Sequence, residues 1–494
     1  MPDFFLQTNS PNISNMKQSK SSTNWGAFSV LISVFFFWGF VAASNDILIP
    51  VFKKAFDLSQ GESQLVSVAF YVAYTVGSLL YLAVSRMIGE DITNKIGYKN
   101  ALSVGLAISA LGTLLFYPAA NTGSFPLMLS GLFIVGLGFS LQQTVANPLA
   151  IALGSAQTGS QRLTLAGGIN NLGTTIGPLI VSFAIFGSAA SHDANIDIES
   201  IKTPYLVLGL AFLIVAAILK MSSIPDRPAM EESIDEENPT FKKQSALQYP
   251  QLWMGMIGIF VYVGVEVSTA SNLPAYMEKD LGFSISGVAP YISLYWASLM
   301  IGRWTGAVEA FGFSQATEKV VKLIAPYLAF AVFLMVNSIA GHDLSPFYVY
   351  ALVILILIAA DLSSKGNPAR MLLIFSLLGV AALFTGMSTT GMTSVYAFTS
   401  VGLFCSTLWP CIFTLAVSGL GKKTSQGSNF LIMMIMGGGI VSWLQGEVAD
   451  ITNIHQSYIV GVGCFAYLAF YALRVGVILE KQGIHLDKKI AGGH

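Results

Sequence analysis

The sequence predicts an all-α polytopic membrane protein, and three observations carry that expectation. Of 494 residues, 54% are hydrophobic and 10% charged, against about 25% charged in ordinary soluble domains. Apolar runs near the roughly 20 residues needed to cross a bilayer recur along almost the whole chain. The loops between them carry most of their positive charge on one side. The net charge of −1 gives no reason to expect a nucleic-acid partner. Cys405, Cys411 and Cys464 lie inside apolar runs, without disulfide or zinc spacing. No Ser/His/Asp constellation, phosphate-binding glycine loop, metal motif or cofactor motif stands out, which argues against an enzyme and against ATP-driven transport.

Taken in order, residues 1–24 are polar and read as a cytoplasmic tail with no cleavable signal. Six spans follow, at 26–51, 65–88, 100–118, 126–154, 163–187 and 204–224, making an N-terminal bundle over 25–224. A hydrophilic linker, 225–250, holds Pro225, Pro228 and the acidic run Glu231 to Glu237, and reads as a solvated connection. Eight further spans are expected at 252–277, 286–310, 320–340, 346–360, 371–388, 393–418, 428–449 and 457–479, within a C-terminal bundle over 251–480. The segment 346–360 is short for a span. A tail, 481–494, ends the chain.

Loop charge tests that count of fourteen. With the N-terminus inside, all 25 Lys and Arg except Lys53, Lys54, Lys202 and Lys279 fall on cytoplasmic loops or helix ends. Removing one span between 320 and 388 would invert Lys422, Lys423, Lys481, Lys488 and Lys489. The parity therefore places both termini in the cytoplasm.

The stretch 139–178 reads FSLQQTVANPLAIALGSAQTGSQRLTLAGGINNLGTTIGP. Two apolar segments meet at a polar hinge carrying Arg162. Gln142, Gln143 and Asn147 lie deep in the first, and Asn170 and Asn171 in the second. Glycines among them allow close helix approach, and buried amides must find partners across helices or on a ligand. Amides without net charge suit a neutral, hydroxyl-rich solute, because each hydroxyl both donates and accepts, as each amide does. The second half echoes the first: Trp409-Pro410 with Gly419 parallels Asn147-Pro148 with Gly154, and Asn429 with Gly437 to Gly439 parallels Asn170 with Gly173. Two similar halves with a site between them is a transporter architecture.

QQTVANP and RLTLAGGINNLGTTIGP resemble the signature of the fucose–galactose–glucose:proton symporter family, a branch of the major facilitator superfamily. The resemblance implies two pseudo-symmetric six-helix bundles and secondary active import of a neutral hexose, driven by a cation, H⁺ in this family. It implies a bacterial inner-membrane protein whose partners are the sugar, the coupling cation and the bilayer, with a monomer expected. Family members usually have twelve helices. Between Arg303 and Met392 this chain has three apolar segments where the family pattern has one, so a helical pair is inserted within 320–388. NDILIP resembles the family's first helix, which makes Asp46 the proton-coupling residue. Gln143, Gly167 and Ala43 depart from the fucose-transporting branch, and Gln143 resembles the glucose/galactose branch. A facilitator, a Na⁺-coupled transporter of another small sugar, and a membrane sugar sensor without flux are the rival readings.

A carboxylate inside a membrane costs several kcal/mol unless paired, hydrated or protonated, so Asp46 and Glu266 are proton-carrier candidates. Asp46 is alternatively a mouth residue in contact with water, and Glu266 a structural hydrogen-bond partner. His192, His342, His455, His485 and His494 all fall in loops or the tail. Aromatic rings bind sugar faces, which nominates Trp38, Tyr71, Tyr262, Trp296 and Trp409; membrane-interface belts and packing are the alternative use. Asn45, Asn272 and Asn429 are polar at membrane depth, as ligands or as links between helices. Asp91 and Lys95 in the second cytoplasmic loop, Arg162, and Arg303 in Gly302-Arg303-Trp304-Thr305-Gly306 are gate candidates; plain positive-inside anchoring accounts for them equally.

Overall fold

In hydrocarbon nothing replaces a lost backbone hydrogen bond, so each apolar run must close its backbone on itself as a helix. The computed structural model describes residues 23–89, 92–154, 159–186, 198–226, 246–311, 313–420 and 423–484. Among them, 14 helices are long and apolar enough to cross a bilayer. They are α1 (Trp25–Phe56), α2 (Leu65–Ile88), α3 (Tyr98–Thr122), α4 (Phe125–Asn147), α5 (Arg162–Phe186), α6 (Ile198–Met221) and α7 (Pro250–Leu281). Then come α8 (Ile285–Ala307), α9 (Ala316–Ile339), α10 (Ser345–Ser364), α11 (Pro368–Ser388), α12 (Gly391–Val417), α13 (Gly427–Ile451) and α14 (Gln456–Lys481). All fourteen expected spans are present. The short 346–360 segment reaches spanning length because a tight turn at Ser345–Phe347 starts the helix early. Most of the 225–250 linker lies outside the described residues, as do 1–22 and 485–494.

The helices pack in a repeated pattern. In the first half α1 lies on α5, and α3 lies on α4 and α6. In the second, α7 lies on α13, and α11 lies on α12 and α14. Helix α9 lies against α8 and α10 against α11, and neither has a counterpart in the first half. We therefore assign the added pair to α9 and α10, the first two of the three helices between Arg303 and Met392. Val320, Leu323, Leu328 and Met335 of α9 and Leu352 and Leu355 of α10 are exposed, the apolar outer surface that lipid requires. The halves meet along α5–α8 and α2–α13, with α1 against α7.

Glycine sets the closeness of these contacts. A Cβ on Gly39 would collide with the Asn170 carbonyl, and one on Gly173 with the Phe36 carbonyl. Without side chains there, α1 and α5 touch backbone to backbone. Gly439 of α13 does the same across the halves, where a Cβ would stand 2.7 Å from Val68 Cα. Proline shapes α12. Pro410 has no N–H to give and its ring crowds the carbonyl four residues back; the helix breaks between Cys405 and Leu408, leaving the Ser406 carbonyl free of its helical donor.

Thr23 and Ile484 lie at one end of the bundle, the terminal end. Lys53, Lys279 and Asp450 lie at the other, the distal end. Replacing Gly173 with Val should force α1 and α5 apart and cost about 1–3 kcal/mol of stability. A lowered thermal unfolding midpoint in detergent checks this, and an unchanged midpoint contradicts the seam.

Candidate functional site

The site lies between the two halves and has three levels. At the distal end, Ser59 caps a one-turn helix, Gln60–Ser63, in a reciprocal capping box with Glu62. Asp450 of α13 reaches across from the other half and accepts hydrogen bonds from the backbone N–H of Gln60 (3.2 Å) and Gly61 (2.8 Å). Gln60 donates to Asn272 Oδ1 of α7 at 3.0 Å and accepts from Lys53 Nζ at 2.6 Å. Lys54 and Glu278 form an ion pair at 2.5 Å, also between halves. A cavity of about 550 Å³ lies here, lined by Lys53, Asp57, Gln60, Ser271, Lys279 and Asp450 among others.

At the middle level stands Asp46, 2% exposed. Its Oδ2 accepts a hydrogen bond from the indole Nε1 of Trp296 at 2.7 Å. This bond joins α1 of the first half to α8 of the second. Glu266 of α7 is half-buried, and its enclosed Oε2 has no hydrogen-bond partner in the protein. Tyr71 of α2 and Tyr295 of α8 both lie within electrostatic reach of Asp46 and of Glu266. Tyr295 donates to the Glu266 backbone carbonyl at 2.7 Å. Asn45 and Asn429 are buried with both amide atoms unpartnered, and Asn171 has an unpartnered Oδ1. An unpaired buried amide costs about 1–3 kcal/mol, so each of these atoms, on α1, α5 and the start of α13, calls for a hydroxyl or water partner. Gln143 donates to the Tyr74 hydroxyl at 3.2 Å and stays half-buried beside the half-buried Asn147.

At the terminal end, Arg303 of α8 makes three contacts. Its Nη2 donates to the Tyr262 hydroxyl (3.3 Å), its Nε to the Ser406 carbonyl freed by Pro410 (3.3 Å), and its Nη1 to the Gly167 carbonyl of the first half (3.5 Å). Trp304 donates to the Gly168 carbonyl at 3.4 Å, and Trp25 stacks on Phe311 across the halves at 6.0 Å. Tyr262 lies one helical turn before Glu266 on α7, and its ring lies 6.1 Å from that of Trp409.

Several expected site residues have structural partners instead. Trp38 Nε1 donates to Gln142 Oε1 at 2.8 Å, and Gln142 Nε2 donates to Ser109 at 3.1 Å, all inside the first half. Asn170 donates to the Phe35 carbonyl at 2.9 Å, and Asn272 donates to the Ser268 carbonyl at 3.0 Å while accepting from Gln60. Arg162 is fully buried and donates to the Ala150 carbonyl at 3.0 Å, within the first half. Lys95 is exposed on a short helix, Ile92–Ile96, and Asp91 lies outside the described residues. Sequence reading missed Gln60, Tyr74, Glu278, Trp304 and Asp450. Ser59 to Glu62 carried the legible capping signal S-x-x-E; an acid near a helix end, such as Asp450, reads as ordinary surface.

Comparison with known proteins is consistent with this geometry. Residues 26–340 match the family described as Major Facilitator Superfamily. The glucose/galactose transporter of Brucella abortus biovar 1 (strain 9-941) is 33% identical over 92% of this chain and 96% of its own length. The putative glucose/galactose transporter of Helicobacter pylori (strain ATCC 700392 / 26695) is 31% identical over 92% and 98%. The L-fucose-proton symporter of Escherichia coli (strain K12) is 26% identical over 90% and 92%. A crystal structure of the transporter FucP in the outward conformation matches with a TM-score of 0.61 at 25% identity, covering 91% of this chain and 98% of that one.

The Trp38–Gln142 bond yields a prediction. Trp38→Phe or Gln142→Leu alone leaves a buried polar atom unpaired and should cost about 1–3 kcal/mol, while the double variant should cost less than the sum. Unfolding midpoints of the four proteins check it, and additive losses would count against a packing role.

Proposed function

The chain belongs to the Major Facilitator Superfamily, and on that footing we propose that it imports a neutral hexose of the glucose/galactose class together with a proton. The observation that carries the reading is Asp46: a carboxylate withdrawn from water, at the junction of the two halves, bonded across it to Trp296. A group so placed changes its bond to the opposite half when it gains or loses a proton, which is what coupling an ion to alternating access requires. Glu266 is the second carboxylate in the same layer. The unpaired amides of Asn45, Asn171 and Asn429, with Gln143 and Asn147, supply donors and acceptors without net charge, suited to sugar hydroxyls. Tyr262 and Trp409, with rings 6.1 Å apart, supply apolar ring faces.

The relatives support the substrate class. The two glucose/galactose transporters share more identity with this chain than the fucose symporter does. In this reading the terminal end is cytoplasmic and the distal end outside, which the bias in loop charge supports, the membrane is a bacterial inner membrane, and the working unit is a monomer. A membrane potential near 100 mV supplies about 2.3 kcal/mol per charge, roughly fiftyfold accumulation of the sugar.

In liposomes with an imposed inward proton gradient, the protein should accumulate labelled glucose or galactose above equilibrium. Asp46→Asn should abolish accumulation while retaining sugar exchange. Accumulation indifferent to the proton gradient would remove the proton, and no flux of either sugar would remove the substrate class.

A further inference from the structure

Helix α10, one of the added pair, lies along the back of α8 and meets it at three heights. Toward the distal end the Phe347 ring stands 5.1 Å from that of Tyr291 and 5.2 Å from that of Phe333 on α9. In the middle the Tyr350 hydroxyl is 2.7 Å from Ser298 Oγ, and both side chains are fully buried. Ser298 has one hydroxyl proton and gives it to the Leu294 carbonyl at 2.7 Å, so Tyr350 is the donor to Ser298. Toward the terminal end Leu357 flanks Gly302, where an added Cβ would meet its Cδ1 at 3.5 Å. Helix α10 is itself anchored: Tyr327 of α9 donates to the Ala351 carbonyl at 3.4 Å, and Tyr396 of α12 donates to the Pro346 carbonyl. By their spacing Tyr291, Ser298 and Gly302 form one stripe of α8. Trp296 and Arg303 form a second stripe, roughly 130° round the helix. Ser293 and Trp304, which donate to the Thr175 and Gly168 carbonyls of α5, form a third. Helix α8 is thus gripped by α5 of the first half and by α10 of its own, and the stripe that holds Asp46 lies between the two grips.

We propose that the added pair is a backing for α8, and that Tyr350 is a positioning residue which, through Ser298, holds the Trp296 indole at the depth and rotation its bond to Asp46 requires. Without α9 and α10, the stripe of Tyr291, Ser298 and Gly302 would have lipid behind it. Lipid chains conform to any position of a helix, and a helix so backed can slide or turn slightly at little cost. A buried hydrogen bond between helices fixes one position. Ser298 and Trp296 stand two residues apart on the same hydrogen-bonded helix, so a displacement at one is carried to the other. A hydrogen bond weakens steeply when its angle closes, and slack in α8 is therefore slack in the Asp46–Trp296 bond. Tyr350 bonds to neither Asp46 nor the indole and acts only by fixing α8. Where transport is concerned, the inference rests on the reading of Asp46 as the coupling residue.

The test uses the full chain in detergent, with fluorotryptophan incorporated in place of tryptophan, and reads the fluorine resonance of each indole. Trp296→Phe and Trp38→Phe assign the two resonances that matter. Tyr350→Phe keeps the ring and removes only the hydroxyl. It should move or broaden the Trp296 resonance and leave that of Trp38, whose bond to Gln142 lies within the first half. Ser298→Ala should do the same, and the double variant should do no more than either. Leu372→Ala, in the buried core of α11 where that helix packs on α12 and α14, should lower the unfolding midpoint and leave the Trp296 resonance in place. A Trp296 resonance indifferent to Tyr350→Phe, or one that answers equally to Leu372→Ala, would overturn the proposal. In proteoliposomes Tyr350→Phe should lower proton-driven accumulation about fivefold, the population shift expected for one neutral hydrogen bond, while half-saturation for sugar exchange holds. It should add nothing to the loss caused by Trp296→Phe; additive losses would place Tyr350 on another route and count against the proposal. The resonances need neither sugar nor gradient. A protein that moves no hexose yet shows the selective shift at Trp296 would lose its transport reading and keep this one; a protein that accumulates hexose without that shift would do the converse.

Discussion

Asp46 takes its hydrogen bond from the half of the molecule to which it does not belong. A carboxylate at 2% exposure must find its match inside the protein, and Trp296 at 2.7 Å is that match. For the two to meet, α1 and α8 must stand at fixed depth relative to one another, and helix α5 provides the fixture. It is locked to α1 by the backbone contacts at Gly39 and Gly173, and it lies along α8, where Ser293 donates to the Thr175 carbonyl at 2.8 Å. The glycines are therefore part of the same device as the acid. They remove the play between α1 and α5 that would otherwise let the carboxylate drift from its indole.

The polar residues of the interior divide by whether their bonds are already made. Trp38, Gln142 and Ser109 close on one another; Asn170 closes on Phe35, and Asn272 on Ser268 and Gln60. These groups set helix spacing and have little left to offer a ligand. Asn45, Asn429 and one oxygen each of Asn171 and Glu266 remain open. A site for an uncharged solute is expected to look this way before occupancy, since an amide already satisfied would have to break one bond to make another.

The same division marks what the sequence could disclose. Each spanning helix must satisfy its own backbone and present an apolar surface, so spans are local facts, and all fourteen were legible from composition and loop charge. The parity of the added pair was legible too, because an odd insertion would have inverted Lys422 and Lys423. Its assignment to α9 and α10 was not, since three apolar runs of similar character differ only in what they pack against. An amide used for packing and one left for a ligand are the same residue at the same depth: Gln142 and Gln143 are neighbours, one sealed between Trp38 and Ser109 and the other on Tyr74 at a half-buried surface. Trp296 lies 250 residues from Asp46, and no local pattern joins them.

The two closures also differ in kind. The distal end is held by an ion pair, by Asp450 on two backbone N–H groups and by the Gln60–Asn272 bond, with distances from 2.5 to 3.2 Å. The terminal end is held by neutral carbonyls of Gly167 and Gly168, at 3.5 and 3.4 Å, and by one aromatic stack. Carbonyls cannot change charge, so whatever alters the terminal closure must act on the donor that reaches them. Arg303 never loses its own proton under ordinary conditions, which leaves its counter-charge as the variable. Glu266 stands one turn of α7 from the Tyr262 hydroxyl that accepts from this guanidinium. Pro410 contributes as well. By breaking α12 it offers Arg303 the Ser406 carbonyl, so the guanidinium is gripped by its own half while its reach to the other half stays long and weak. A clamp built this way is poised to let go of the opposite half first.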